Sequence, residues 1–178
     1  MTPFRWKRGR LLADIEAHEA VLLRQVVTEI RDLLSDPESD DTKSVGIVAG
    51  SGSADAGAMQ DPVTARLLPD GHRSDPDLAE DYRGLTEAGL RAEKRADAAL
   101  LLQTVGENGG RIELDAAAAE AWLRTINDVR LSIGVRLDIN ESDDPMVRAE
   151  QTGDPRWAVY SWLTAVQGLL VDAVSAKH

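Results

Sequence analysis

Four basic side chains, Arg5, Lys7, Arg8 and Arg10, fall within six positions in the stretch FRWKRGRLL near the start of the chain. Lysine and arginine at that density can neutralise phosphates, so one chemistry open to them is contact with nucleic acid. The chain as a whole opposes it: 31 acids against 20 bases leave a formal net charge of −11, a field that repels a phosphate backbone. Their spacing offers a second reading. Phe4 and Trp6 alternate with Arg5 and Lys7 as on a half-buried strand, and basic side chains on a sheet edge discourage edge-to-edge aggregation.

No other constellation completes a reactive site. Val45-Gly46-Ile47-Val48-Ala49-Gly50-Ser51-Gly52-Ser53 looks like a strand entering a glycine turn, but Asp55 takes the third glycine position of the dinucleotide fingerprint, and no Lys-Ser/Thr pair follows as a phosphate loop needs. Asp138, Asn140 and Ser142 stand at the first, third and fifth places of a calcium-loop pattern whose sixth place holds Asp143 and whose twelfth holds Ala149, so the segment is expected to be a solvated acidic inter-helix loop. His18, His72 and His178 are scattered. Glu16 and His18 would project about 200° apart on a helix and could not chelate together. With zero cysteines, this chain carries no disulfide, thiolate nucleophile or thiolate metal site. No catalytic residue, cofactor or metal is assigned, and the chain is read as a non-enzyme.

Two further groups could face a partner. Arg130 and Arg136 lie in the most apolar helical segment with Asp128 and Asp138 nearby; a charge beside a buried stripe needs a counter-charge, which predicts ion pairs setting helix register, or in Arg130 a polar spot facing a partner. Among the four tryptophans, Trp122 and Trp162 fall on core stripes. Trp6 and Trp157 fall near element ends, where an exposed aromatic can anchor an interface.

The elements that position these residues follow from periodicity. Phe4 to Arg8 predicts a strand, Gly9 a turn, residues 10–13 a returning strand, and residues 111–114, after Gly109-Gly110, a third. Asp14 is expected to cap a helix running to about Ser35, with Ile15, Leu22, Val26, Ile30 and Leu33 as its stripe beside Leu23. Residues 36–60, acidic and rich in Gly, Ser and Ala, are expected to form a mobile loop. Asp61-Pro62 opens a short helix before Pro69; Asp75-Pro76 opens another that should stop at Gly84, with Thr86 capping a separate helix to about Val105. Asp115 caps a segment in which Trp122, Ile126, Val129, Ile133 and Leu137 form a stripe widened by Leu123 and Leu131, as on a helix contacted from several sides. The last helix, about 156–175, carries Val159, Leu163, Val166, Leu170 and Val174. The expectation is a mainly α bundle of five or six helices with a small N-terminal β-hairpin or sheet, one domain over residues 1–178. No uninterrupted apolar run of membrane-spanning length or signal-peptide pattern is visible, which predicts a cytoplasmic protein without a membrane span; a homodimer is compatible with this pattern.

Three motifs in order carry a resemblance: Asp61-Pro62-x-x-x-Arg66-Leu67-Leu68-Pro69-Asp70, then Trp122-Leu123-x-x-x-Asn127-Asp128-x-Arg130-Leu131-x-x-Gly134, then Val159-Tyr160-x-Trp162-Leu163-x-x-x-Gln167. They are similar to an actinobacterial family of AosR-like proteins, often encoded beside the ClpS protease adaptor. The resemblance implies a regulator of oxidative-stress gene expression acting through the transcription machinery, with a sigma factor or RNA polymerase as partner. Direct DNA binding through Arg5, Lys7, Arg8 and Arg10, or an accessory role in Clp proteolysis, are the alternatives. The redox response of such proteins is linked to an N-terminal cysteine pair, which this chain lacks, so a thiol switch does not carry over.

Overall fold

Alternating apolar and polar residues build the first element of the computed structural model, which describes residues 1–35, 47, 61–68 and 76–176, with 76–86 as helical backbone only. β1 (Arg5–Lys7) and β2 (Arg10–Ile15) form an antiparallel hairpin in which Lys7 opposes Arg10. Arg8 and Gly9 between them take φ of 51° and 77°, the positive values that a two-residue hairpin turn of matching twist requires. β3 (Gly110–Leu114) pairs antiparallel with the other side of β2, Leu11 opposite Leu114 and Ile15 opposite Gly110. Leu11, Ala13, Ile15, Ile112 and Leu114 are buried, while Asp14, Arg111 and Glu113 point to solvent, as a period of two demands.

Pairing with β3 extends β2 through Asp14, so Asp14 does not cap the first helix. Glu16 stands at the cap of α1 (Ala17–Leu33), and its N–H donates to Glu19 Oε2 at 3.0 Å. Leu23, Val26, Val27 and Ile30 are the buried face of α1, and Ile15 is buried from the sheet instead. α2 (Pro62–Leu67) is capped as expected, Asp61 accepting from the Thr64 amide at 3.1 Å. α3 runs unbroken over Pro76–Thr104: Gly84 does not stop it, because an interior glycine costs about 1 kcal/mol and does not by itself end a helix. Gly109 (φ 74°) follows, packed so closely that a Cβ would lie 2.6 Å from the Ile15 carbonyl oxygen.

α4 (Ala116–Arg136) begins at Asp115, which accepts from the Ala118 amide at 2.9 Å. Its residues Trp122, Ile126, Val129 and Ile133 are fully buried, and it packs against α1, α2, α3, α6 and the sheet, which is why its stripe is wide. The following stretch is not all loop. Asp144 caps α5 (Pro145–Thr152), proline at its first position and Gly153 left-handed at its end, both regular helix-boundary devices. α6 (Pro155–Ser175) buries Val159, Leu163, Val166 and Leu170 and packs on α4 and α5. It is the one helix among the described residues long and apolar enough to cross a membrane, but here that apolar face belongs to the core. The fold is mainly α, with six helices and a three-stranded antiparallel sheet in the order β1-β2-β3 among the described residues.

Candidate functional site

The hairpin places Arg5, Lys7, Arg8 and Arg10 in solvent, Arg5 and Lys7 on the outer face of the edge strand opposite Trp6. Their equivalence in sequence is lost in space. Arg10 lies 3.9 Å from Glu113 and 3.6 Å from Asp115, whereas Arg5, Lys7 and Arg8 form no ion pair among the described residues. Trp6 is half-buried, its indole Nε1 donating to the Ala173 carbonyl of α6 at 2.7 Å. Close by, the terminal ammonium of Met1 pairs with Glu19, which also accepts from Trp162 Nε1 at 3.2 Å. Burial alone would raise the Glu19 carboxyl, but these hydrogen bonds together hold it below its usual range.

Trp157, placed by sequence near an element end as a candidate anchor, is 2% exposed and lies under the Arg148 guanidinium, 5.6 Å from its ring centroid. It packs inside the fold rather than presenting itself to a partner. Trp122 donates to Thr104 Oγ1 at 2.8 Å and meets Phe4 edge-on at 6.2 Å, so all four tryptophans are engaged within the chain.

The expected ion pairs of α4 are rearranged. Asp128 pairs with Lys94 of α3 rather than with Arg130, and burial, its largest influence, pushes the Asp128 carboxyl up against the Lys94 hydrogen bond. Arg136 meets Asp61 at the cap of α2 at 2.6 Å. Among the described residues Arg130 takes only neutral partners, Nε to Thr164 Oγ1 at 3.0 Å, Nη1 to Gln167 Oε1 and Nη2 to Tyr160 Oη at 3.3 Å, with its guanidinium 5.1 Å from the Tyr160 ring centroid. Register between α4 and α6 is therefore fixed by charge-to-neutral hydrogen bonds. Asp138 ends α4 in a left-handed conformation, φ 51°, while Asn140 and Asp143 turn their side-chain oxygens onto amides of their own loop.

Arg130 also lines an open cleft of about 450 Å³ with Arg66, Leu131, Gly134, Val135, Asp138, Ile139 and Tyr160. The cleft brings together members of all three sequence motifs: Arg66 from α2, Arg130, Leu131 and Gly134 from α4, and Tyr160 from α6. Gln167 of the third motif links Arg130 to Asn127. Periodicity marks Leu131 and Val159 but gives no reason to single out Arg66 or Tyr160; their places in the motifs were the available signal. His18 is exposed with Nδ1 3.4 Å from Glu16, a contact that helical projection excludes and that arises because Glu16 is extended, not helical. His72, His178 and residues 45–46 and 48–53 of the glycine-rich stretch lie outside the described residues.

No solved structure matches the chain. Two relatives, from Mycobacterium bovis and Mycobacterium tuberculosis strain H37Rv, both described as oxidative stress regulator AosR, are 34% identical over 188 aligned residues, covering 94% of this chain and 86% of theirs. A Mycobacterium leprae relative is 32% identical over 97% of this chain and 88% of its own length. Residues 1–174 match the family described as domain of unknown function DUF2017, and the chain belongs to that family.

Proposed function

We propose that this protein is a non-enzymatic regulator of the oxidative-stress response that acts by contact with the transcription machinery, a sigma factor or an RNA polymerase subunit. The observation that carries the reading is the 34% identity, over nearly the whole chain, to proteins described as oxidative stress regulators. Two physical features support it. The net charge of −11 suits the basic surfaces of nucleic-acid-binding proteins, since complementary fields steer and orient such complexes. Among the described residues, buried Asp128 is spent on Lys94 and buried Ser132 on a helix carbonyl, and no acid, base and nucleophile converge.

Affinity capture with tagged protein from nuclease-treated lysate, with and without peroxide, tests the reading by mass spectrometry. Recovery of sigma or polymerase subunits despite nuclease is the expected result, and their absence would overturn it. A second reading, direct DNA contact, draws on the three hairpin cations that form no ion pair among the described residues. It requires affinity that falls steeply with salt and is abolished by charge reversal at Arg5, Lys7 and Arg8; Clp components in the same capture would instead favour the proteolysis accessory.

A further inference from the structure

Charge in this fold is mostly matched close at hand. In a smaller cleft of about 160 Å³ between α3 and α4, Lys94 faces both oxygens of Asp128 at 2.8 Å and Arg124 binds Asp97 at 2.6 Å, so its cations are already satisfied. Arg136 has Asp61 and Arg156 has Asp154. Arg24 donates to the carbonyls of Leu102 and Val105 where α3 ends.

The larger cleft differs. Arg130 is half-buried, and among the described residues no carboxylate forms an ion pair with it. Three of a guanidinium's five N–H groups are used on Thr164, Gln167 and Tyr160, which fix its plane and leave one N–H on each terminal nitrogen. Arg66 lines the same cleft from α2 and has no hydrogen bond or ion pair among the described residues. The single acid of the lining is Asp138, exposed at the rim. Leu131, Val135 and Ile139 supply an apolar wall, and Gly134 leaves the approach to Tyr160 open, since even a Cβ there would come no nearer than 3.8 Å to the ring. A partly desolvated cation held in place without a counter-charge favours an anion, and a planar fork with two spare donors matches a carboxylate or phosphate.

We propose that this cleft is a binding site for a small organic anion, a carboxylate or phosphate ester with an apolar body. Arg130 and Arg66 take the oxyanion, and Leu131, Val135 and Ile139 take the body. Its volume lies in the usual range for small-molecule sites, about 300–1,000 Å³. The site stands independently of which macromolecule the protein contacts.

Benzoate, phenyl phosphate and neutral benzamide, titrated into the full chain and followed by ¹H–¹⁵N NMR, test it. One or both anions are expected to give saturable shifts at the Gly134 and Ile139 amides and the Arg130 Nε–H, and benzamide none; which anion binds more tightly separates carboxylate from phosphate ligands. Arg66→Gln, on the exposed side of α2, should weaken the anion about tenfold by removing a charge-assisted contact. Asp138→Asn, which keeps a residue tolerant of left-handed backbone, should tighten it about twofold to threefold by removing the rim's negative charge. Absence of saturable shifts with both anions at millimolar concentration would overturn the proposal. So would equal binding of benzamide, or an affinity indifferent to both substitutions in folded protein.

Discussion

Replacing Asp128 by leucine, or Lys94 by methionine, probes how the helical body holds its charges. Lys94 Nζ reaches both Asp128 oxygens at 2.8 Å, and the two side chains are 18% and 9% exposed. Stripping one member from a buried pair leaves the other desolvated and uncompensated, at about 3–5 kcal/mol when burial is complete. Because the ammonium keeps some access to water, each single substitution is expected to cost about 2–3 kcal/mol, a fall in Tm of about 5–10 °C for a chain of this length. Removing both charges at once restores an apolar contact between α3 and α4 and should leave stability within about 1 kcal/mol of wild type. Urea and thermal unfolding of the four proteins give the cycle. Its pH dependence has a definite sign: burial raises the Asp128 carboxyl more than the Lys94 hydrogen bond lowers it. Such a group contributes stability that is fully present below its unfolded pKa and is lost as pH rises through the folded one. The wild type should therefore gain on the double variant as pH falls from neutral toward the ordinary aspartate range. If Asp128→Leu alone matched wild type, or the double variant lost the sum of the two singles, the pair would not be coupled as reasoned.

Gly109→Ala forces a Cβ into the backbone of residues 15–17 at a left-handed φ and is expected to cost more than about 2 kcal/mol; urea unfolding checks it against Gly153→Ala, where φ is 65° but nothing lies within 4 Å and about 1 kcal/mol is expected. Trp6→Phe removes the donor to the Ala173 carbonyl and should cost about 1 kcal/mol, with faster amide exchange in β1 and β2 than in α4; equal protection throughout would contradict the clamp. Glu19→Gln should cost about 1–2 kcal/mol near neutral pH. Because the hydrogen bonds hold the Glu19 carboxyl below its ordinary value of 4.5, that gap is present above 4.5 and closes as pH falls through the lowered folded value; a gap unchanged in acid would count against it.

Elements whose cause is local were legible in the residues. Asp61 and Asp115 cap the helices they precede, because a cap needs only an oxygen and the next three amides, and β1 and β3 follow from alternation alone. Asp14 failed as a cap for a non-local reason: β2 continues to Ile15 because β3, almost a hundred residues later, pairs with it. The break expected at Gly84 was a propensity argument, and propensity is a weak prior beside helix continuation and packing. The acidic character of residues 138–149 hid the boundary signals of α5, Asp144-Pro145 and Gly153. Arg130 was legible as a charge needing company, but its company is Tyr160, Thr164 and Gln167 on α6, and no local rule reaches thirty residues to find neutral partners. The cleft was legible only as three separate motifs.

The basic stretch that raises the question of nucleic acid is weaker in space than in sequence. Arg10 is drawn toward Glu113 and Asp115, and nearby Arg111 toward Asp14, so the hairpin cations without an ion pair among the described residues are Arg5, Lys7 and Arg8. Three phosphate contacts would give a salt dependence with a logarithmic slope of about −3, where proteins making six to ten contacts lose about 10³–10⁵ in affinity between 50 and 200 mM salt. That attraction would also have to act against a field set by a net charge of −11, which is screened beyond about 8 Å at physiological salt but not across the hairpin itself. Acidic side chains stand on the other strands of the same sheet, Asp14 on β2 beside the edge strand and Glu113 on β3 beyond it. A surface with three cations at an edge and carboxylates one and two strands away is poorly matched to the uniform negative charge of a duplex. It is better matched to a protein face of mixed sign, where complementary charges set orientation and encounter rate and Trp6, pinned to α6, holds the edge strand in place.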